Sequence, residues 1–188
     1  FLTVTTESRV ERTLKQVKVE DLDKLLKMEG QELLVSGAER QEQLPDDPAR
    51  FNCYMPEVQF PVPGTPKTQM RVCTRVQTPR PGLALINIDE FALLVEDMAT
   101  GELEYQEQWS TNGAVKADTM NTVSYRAKGD DVSVVAQLRS TFKTPLIDWL
   151  PISESIFSGM VQGVVQGALK TSQEEMLDRL EKRCREMR

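Results

Sequence analysis

A long proline-free stretch ends the chain and limits the folds that the rest of it can adopt. Residues 152–187 follow Pro151, carry apolar side chains at helical spacing and end in Arg and Lys, which suit the C-terminal end of a helix. Ser153 and Glu154 suit its first turn. We predict one helix about 54 Å long, at 1.5 Å per residue. That length is large for a domain of this size, so we expect the last turns of the helix to project or to contact a partner.

The preceding residues predict an antiparallel sheet. Short segments rich in β-branched residues are separated by turn clusters, of which residues 79–82 and 129–131 are the clearest. Residues 68–78 alternate between apolar and polar side chains, which is typical of a strand with one covered face. Residues 3–17 predict a first strand.

Between the first strand and the others, residues 19–36 place leucines at helical spacing. Gly30 interrupts that pattern, so we predict two short helices there. The whole order predicts an α+β fold, with an antiparallel sheet of about six to seven strands followed by the C-terminal helix. We predict a single domain over residues 1–188, from which the helix end, about 172–188, projects or meets a partner.

Composition excludes several classes of function. The net charge of −6 and the pI near 4.9 argue against nucleic-acid binding, which needs a basic surface. No apolar run approaches the roughly 20 residues of a membrane span. Three cysteines, an odd number, favour a reducing compartment over a disulfide framework. The chain begins at Phe1, so we expect that an N-terminal leader was removed or lies outside this sequence.

The chain contains no histidine, the commonest general base and transition-metal ligand. Acidic groups such as Asp89 with Glu90 could in principle do acid–base work, but none follows a known metal-loop spacing. We interpret them as solvated surface. The sequence therefore predicts a protein that is not an enzyme and holds no metal or cofactor.

The last quarter of the chain has a recognisable layout. It consists of a final strand, a proline-bracketed exit and a small-residue helix with a basic amphipathic end, STFKTPLIDWLPISESIFSGMVQGVVQGALKTSQEEMLDRLEKRC, Ser140–Cys184. With the order of elements, it resembles the START-like helix-grip superfamily, also called polyketide cyclase or Bet v 1-like. Within it, the tail is most similar to an uncharacterised family of cyanobacteria and chloroplasts. The resemblance implies a sheet that grips the C-terminal helix, often around a cavity, and a plastid protein associated with photosynthetic membranes.

Four segments are candidates for contact with a partner. The proline-rich segment 56–66 holds Phe60, Val62 and Pro63 in an extended, pre-ordered form, unless it is a plain crossover loop. Trp149 lies in the exit before the helix and could rest on a membrane interface or a partner. Leu177 and Leu180 near the helix end would dock on a partner or pack in the core.

The fourth feature is a strip of small residues along the helix. Ser155, Gly159, Gly163 and Gly167 recur every four residues and therefore share one side. One interpretation is close packing of the helix on the curved sheet. The other is that the strip makes room for a ligand or for the helix of another protein.

Taken together, these patterns predict a non-catalytic accessory subunit or assembly factor that acts through protein contacts. The resemblance places it in the chloroplast stroma, peripheral to the thylakoid membrane and bound to a photosystem, with photosystem I as the candidate complex. The alternative is a carrier of a lipophilic ligand, a lipid or pigment, in the sheet–helix cavity. A third hypothesis, an enzyme of the cyclase or hydratase type, has no residue nominated by the sequence.

Overall fold

The computed structural model describes residues 1–35, 37–59, 63–145 and 153–187. Nine strands and two helices lie within those ranges. In chain order they are β1 (Leu2–Leu14), α1 (Val19–Leu34), β2 (Arg40–Leu44), β3 (Asp47–Tyr54), β4 (Val58–Gln59), β5 (Lys67–Arg80), β6 (Leu83–Glu96), β7 (Leu103–Ser110), β8 (Lys116–Lys128), β9 (Asp131–Thr144) and α2 (Glu154–Glu186).

The strands form one curved antiparallel sheet that does not close into a barrel. Its order is β1-β9-β8-β6-β5-β3-β2, with β4 paired to β5 and β7 paired to β6 beside that path. The predicted α+β class, with a curved sheet and a C-terminal helix, is confirmed. The described residues form nine strands instead of about six or seven, and one of the additional strands is the short β4 inside the proline-rich segment.

Register decides which residues share the covered face of the sheet, here called the inner face. β1 and β9 pair with Val4 opposite Phe142 and Thr6 opposite Ser140. Along β1 the buried residues alternate with exposed ones from Leu2 onward. Because successive side chains on a strand point to opposite faces, the even-numbered residues of β1 and β9 lie together on the inner face.

Helix α1 is continuous, so the prediction of two short helices was wrong. Gly30 is buried inside it, and a Cβ at that position would lie 3.1 Å from Cγ1 of Val76 on β5. The glycine therefore serves close packing of the helix on the sheet instead of ending the helix. Five leucines form the buried side of α1: Leu22, Leu25, Leu26, Leu33 and Leu34.

A buried polar contact fixes the start of α1 on the sheet. The hydroxyl of Tyr125 on β8 donates a hydrogen bond to Asp23, and the backbone N–H of Gly82 donates to the same carboxylate oxygen at 3.1 Å. Burial, and then the bond to Asp23, raise the pKa of Tyr125 well above its ordinary value of 10.0. The contact ties α1 to both β8 and the β5–β6 turn.

The distal part of α2 packs into the core, so the predicted projection of residues 172–188 is corrected. Leu177 and Leu180 have no exposed surface, and Cys184 is 3% exposed. Arg183 binds both carboxylate oxygens of Glu29 on α1 at 2.7 Å. The apolar side of this segment is covered by the protein's own core, which overrides the expectation drawn from helix length.

Neither helix offers, within the part of the chain that the structure describes, a stretch long and apolar enough to cross a membrane.

Candidate functional site

The surroundings of helix α2 change halfway along it. Ser155, Gly159, Gln162 and Gln166 are exposed, whereas Gln173, Leu177, Leu180 and Cys184 are buried. Each exposed residue precedes one of the buried ones by 18 residues, which is five turns at 3.6 residues per turn. Both sets therefore occupy the same side of the helix. That side faces the core in the distal half and is uncovered in the proximal half.

The uncovered side still faces the sheet. The side-chain amide of Gln162 reaches the backbone oxygen of Thr5 on β1, at 3.5 Å. A Cβ built on Gly159, one turn earlier, meets no atom within 4 Å. The contact of Gln162 places this part of α2 beside β1, and the position next to Gly159 is open. At Gly159, therefore, close packing on the sheet does not require a glycine.

The inner face opposite this half of α2 is largely apolar. Val4 of β1 and Leu138 of β9 are buried, at 5% and 7% exposure. Farther across, the rings of Phe91 and Phe142 contact each other with centroids 5.2 Å apart, and both residues are half-buried. We call the space between this face and the uncovered side of α2 the groove.

Polar atoms interrupt this apolar floor at one place. Thr6 and Ser140 are directly paired across β1 and β9 and are 2% and 3% exposed. Neither hydroxyl oxygen has a hydrogen-bond partner among the described residues. Ser8, the next inner-face residue of β1, donates to Oε1 of Gln173 at 2.6 Å. The Nε2 atom of Gln173 is buried and likewise has no partner in the described ranges.

The sequence-predicted contact residues do not meet in this groove. Pro63 is exposed at the end of the proline-rich segment. Leu177 and Leu180 are fully buried, so their predicted role in partner binding is corrected to core packing. Phe60, Val62 and Trp149 lie outside the described residues.

Sequence reasoning missed Thr6, Ser8, Ser140 and Gln173. Threonine and serine are ordinary residues on both faces of a strand, and β1 also carries outward-facing threonines. One signal was available. Thr6 follows Leu2 and Val4 at intervals of two residues, so its side chain lies on the same face of the strand. The pairing of Thr6 with Ser140 depends on the register between β1 and β9, which are far apart in the sequence, and the sequence alone does not give that register.

The acidic groups singled out from the sequence are occupied in ion pairs on the opposite, outer face. Asp89 lies 2.9 Å from Arg50 and 3.1 Å from Arg75, and Glu90 lies 2.5 Å from Arg71. Within the described ranges no group of three potential ligands could hold a metal ion. These side chains also cover the thiol of Cys73. Burial raises the pKa of this thiol, and the nearby Arg50 opposes that shift.

A shallow depression of about 380 Å³ lies on the outer side of the distal part of α2. Its lining is charged, and Asp178 and Glu181 pair there with Arg12 and Arg185. A helix surface whose charged side chains form ion pairs with one another and with a neighbouring strand is typical of a solvent-exposed face. The groove beside the proximal half is the stronger candidate site.

Comparisons with known proteins support the fold. No family model matches the sequence, and no curated protein matches it. Among solved structures, the ZhuI aromatase/cyclase from Streptomyces sp. R1128 aligns over 96% of this chain and 94% of its own, with TM-score 0.53 and 7% identity. The di-domain aromatase/cyclase StfQ of the steffimycin biosynthetic pathway aligns over 99% of this chain and 52% of its own, with TM-score 0.51 and 10% identity. Norcoclaurine synthase from Thalictrum flavum aligns over 97% and 94%, with TM-score 0.47 and 14% identity.

These similarities place the chain in the helix-grip fold that it was expected to have. At this level of identity they establish the fold and carry no residue assignments. They also correct one prediction, that the protein is not an enzyme, because aromatase/cyclases are built on the same fold. The comparisons give no support to a photosystem role.

Proposed function

We propose that the protein binds a lipophilic small molecule, a lipid or a pigment, in the groove between the sheet and the proximal half of α2. The observation that carries this proposal is the change along one side of α2. The same side that is buried as Leu177 and Leu180 is uncovered at Gly159 and Gln162, opposite an apolar inner face. A concave apolar face with room beside it is the usual setting for such ligands.

The first test is to identify what the protein carries and where. Purified protein is extracted with organic solvent and the extract is analysed by mass spectrometry. Binding of the fluorescent apolar probe N-phenyl-1-naphthylamine is then measured on the wild type and on Gly159→Trp. We expect the indole at 159 to occupy the open space and weaken binding by about tenfold, equivalent to about 1.4 kcal/mol.

Glu175→Trp is the matched control. Glu175 is exposed on α2 but lies about 160° around the helix from Gly159, at 100° per residue. The control should bind the probe as the wild type does. Equal binding by the wild type and Gly159→Trp would place the ligand elsewhere, and no binding by any form would refute the proposal. Comparison of the extracted molecule before and after incubation with the protein shows whether binding is followed by a reaction.

A second proposal concerns protein contact. We propose that the proline-rich segment 56–66 docks on a membrane-bound complex, with a photosystem at the stromal side of the thylakoid, and photosystem I in particular, as the candidate. The supporting observation is that Val58 is 41% exposed and that Pro63, in the same segment, is also exposed. The plastid location rests on the resemblance of the tail, Ser140–Cys184.

Sedimentation of gently solubilised membranes tests the second proposal. We expect the protein to travel with a much larger pigmented complex, and Val58→Ser to release it. Met120→Ser, which changes an exposed apolar residue on the outer face of β8, is the control and should remain bound. Migration near the protein's own 21.3 kDa would refute docking and leave ligand binding untouched.

A further inference from the structure

Strand β1 leaves one outer edge of the sheet open. It is the first strand in the sheet order, and β9 is its one neighbour among the described strands. The hydroxyls of Thr5 and Thr141 lie 3.3 Å apart across the two strands, and the amide of Gln162 on α2 reaches the backbone oxygen of Thr5. Both contacts fit a residue whose backbone N–H and C=O point away from β9. Because this direction alternates along a strand, the other odd-numbered residues of β1 direct their backbone groups to the open edge as well.

Helix α2 does not cover the middle of this edge. It contacts β1 from the inner face, where the hydroxyl of Ser8 donates to Gln173 at 2.6 Å. On the outer face, Glu7, Arg9 and Glu11 are exposed. No described residue makes a hydrogen bond to the backbone of these three on the open side. The middle of β1 therefore offers free N–H and C=O groups, which are what an added strand pairs with.

The charges along β1 match a second copy of the same strand. β1 comprises Leu2–Leu14, so its midpoint is Ser8. Two copies that pair antiparallel over their full length therefore place Glu7 of one copy opposite Arg9 of the other, and two-fold symmetry makes this pair twice. Both residues belong to the odd-numbered set whose backbone groups are free. Opposite charges directly across two strands stabilise the pairing, whereas like charges oppose it.

The other outer edge of the sheet lacks this match. β2 comprises Arg40–Leu44 and has Glu42 at its midpoint. Full-length pairing of two β2 strands would set Glu42 against its own copy, and like charges directly opposite each other are unfavourable. Pairing through β1 thus joins two copies and does not continue from the far edge into a longer assembly.

We propose that the protein forms a symmetric dimer through β1, in which the sheets of two copies join and Glu7 of each copy binds Arg9 of the other. Arg9 contacts Glu11 of its own strand at 3.1 Å, but this pair is exposed and a guanidinium has donors for two carboxylates. The contact of Gln162 with Thr5 is long for a hydrogen bond, at 3.5 Å, and yields to a partner strand. The dimer does not depend on the proposed ligand, because it uses the edge of β1 and not the groove.

Sedimentation equilibrium of the purified full-length protein at several concentrations tests the dimer. We expect the wild type to reach twice the chain mass of 21.3 kDa. Glu7→Lys sets lysine against arginine in both pairs, and Arg9→Glu sets carboxylate against carboxylate. Each variant should therefore raise the Kd of the dimer by about tenfold or more. Mixing the two variants restores opposite charges in both pairs, so the mixture should associate as the wild type does.

Glu42→Lys is the matched control, because it makes the same change of charge on the other outer strand. It should dimerise as the wild type does, and since all three positions are exposed, circular dichroism should show the wild-type fold in every variant. A wild type that stays near 21.3 kDa up to about 100 µM, where a Kd of about 10 µM would give mostly dimer, would refute the proposal. A dimer that both β1 variants leave intact, or two weakened variants that do not associate when mixed, would refute the pairing through β1.

Discussion

At the scale of single residues, two glycines of this protein occupy opposite kinds of surroundings. Gly159 on α2 is surrounded by open space, with no atom within 4 Å of an added Cβ. Gly82 in the β5–β6 turn has φ +80°, and an added Cβ would lie 2.8 Å from the backbone oxygen of Tyr125. The first glycine is dispensable for the fold and the second is required by backbone geometry.

Gly159→Ala is therefore expected to stabilise the protein by up to about 1 kcal/mol, because alanine is the better helix former and its methyl group meets nothing. Urea unfolding followed by circular dichroism measures the change. Gly82→Ala should destabilise under the same conditions, through both the left-handed backbone and the clash. A loss of stability in Gly159→Ala would show that the space beside the helix is filled.

The pair of Glu29 and Arg183 predicts how stability depends on pH. The hydrogen bonds from Arg183, helped by its charge, hold the pKa of Glu29 below its ordinary value of 4.5, although burial opposes this. A carboxylate whose pKa is lowered in the folded state stabilises that state above the unfolded pKa. That contribution is lost as pH falls through the folded value.

The expected result is that Glu29→Gln is less stable than the wild type at pH 7 and that the difference shrinks below about pH 4.5. Urea unfolding at several pH values measures it. A double-mutant cycle with Arg183→Met isolates the pair, since the coupling free energy should fade in acid along the same curve. A coupling that does not decrease at any pH below 4.5 would mean that the contact does not depend on the charge of Glu29.

At the scale of the element, α2 combines two roles in one continuous helix. Its distal half buries Met176, Leu177 and Leu180 against α1 and the sheet, and its proximal half leaves the same side open. The apolar residues of the sequence drift around the helix, so neither role could be assigned from periodicity alone.

Leu177→Ala should lower the free energy of unfolding by about 2–5 kcal/mol, because it removes a fully buried side chain and leaves a cavity. Chemical denaturation measures the loss. Gln166→Ala, on the same side in the exposed half, should stay within about 0.5 kcal/mol of the wild type. Near-equal effects of the two substitutions would indicate that the distal half is not seated in the core.

Elements were predicted well where the pattern is local. The alternation of residues 68–78 matches the two faces of β5, with Val72 and Thr74 buried on the inner face. Glycine was misjudged because its effect depends on a neighbour: Gly30 ends a helix in isolation, but here it meets Val76 of β5. The length of a helix likewise does not say how much of it is covered.

At the scale of the whole molecule, the order of strands and helices along the sequence predicted the helix-grip architecture, because each of these elements is indicated by local sequence patterns. The candidate site was not predictable in the same way. Thr6 and Ser140 lie far apart in the sequence and meet through the register of β1 with β9. The exclusion of catalysis failed for a related reason, since the absence of one residue type says little about what a fold can support.

The three cysteines provide a test of whether the molecule unfolds as one unit. Cys53 lies on the inner face, Cys73 on the outer face beneath charged side chains and Cys184 on the distal part of α2, at 0%, 1% and 3% exposure. Burial raises the pKa of the Cys53 and Cys73 thiols, which further suppresses the reactive thiolate at those two positions.

We expect iodoacetamide to label the three cysteines slowly and at one common rate in the folded protein, and rapidly in urea, because each thiol becomes accessible only when the core opens. Mass spectrometry of peptides after timed labelling gives the rate at each position. Glu29→Gln serves as the probe of local opening, since it loosens the contact between α1 and the end of α2. If it accelerates only Cys184, the helix end detaches separately from the sheet; if it accelerates all three equally, the helix and the sheet unfold together. Rapid labelling of any one position in the wild type would contradict the packing of that element.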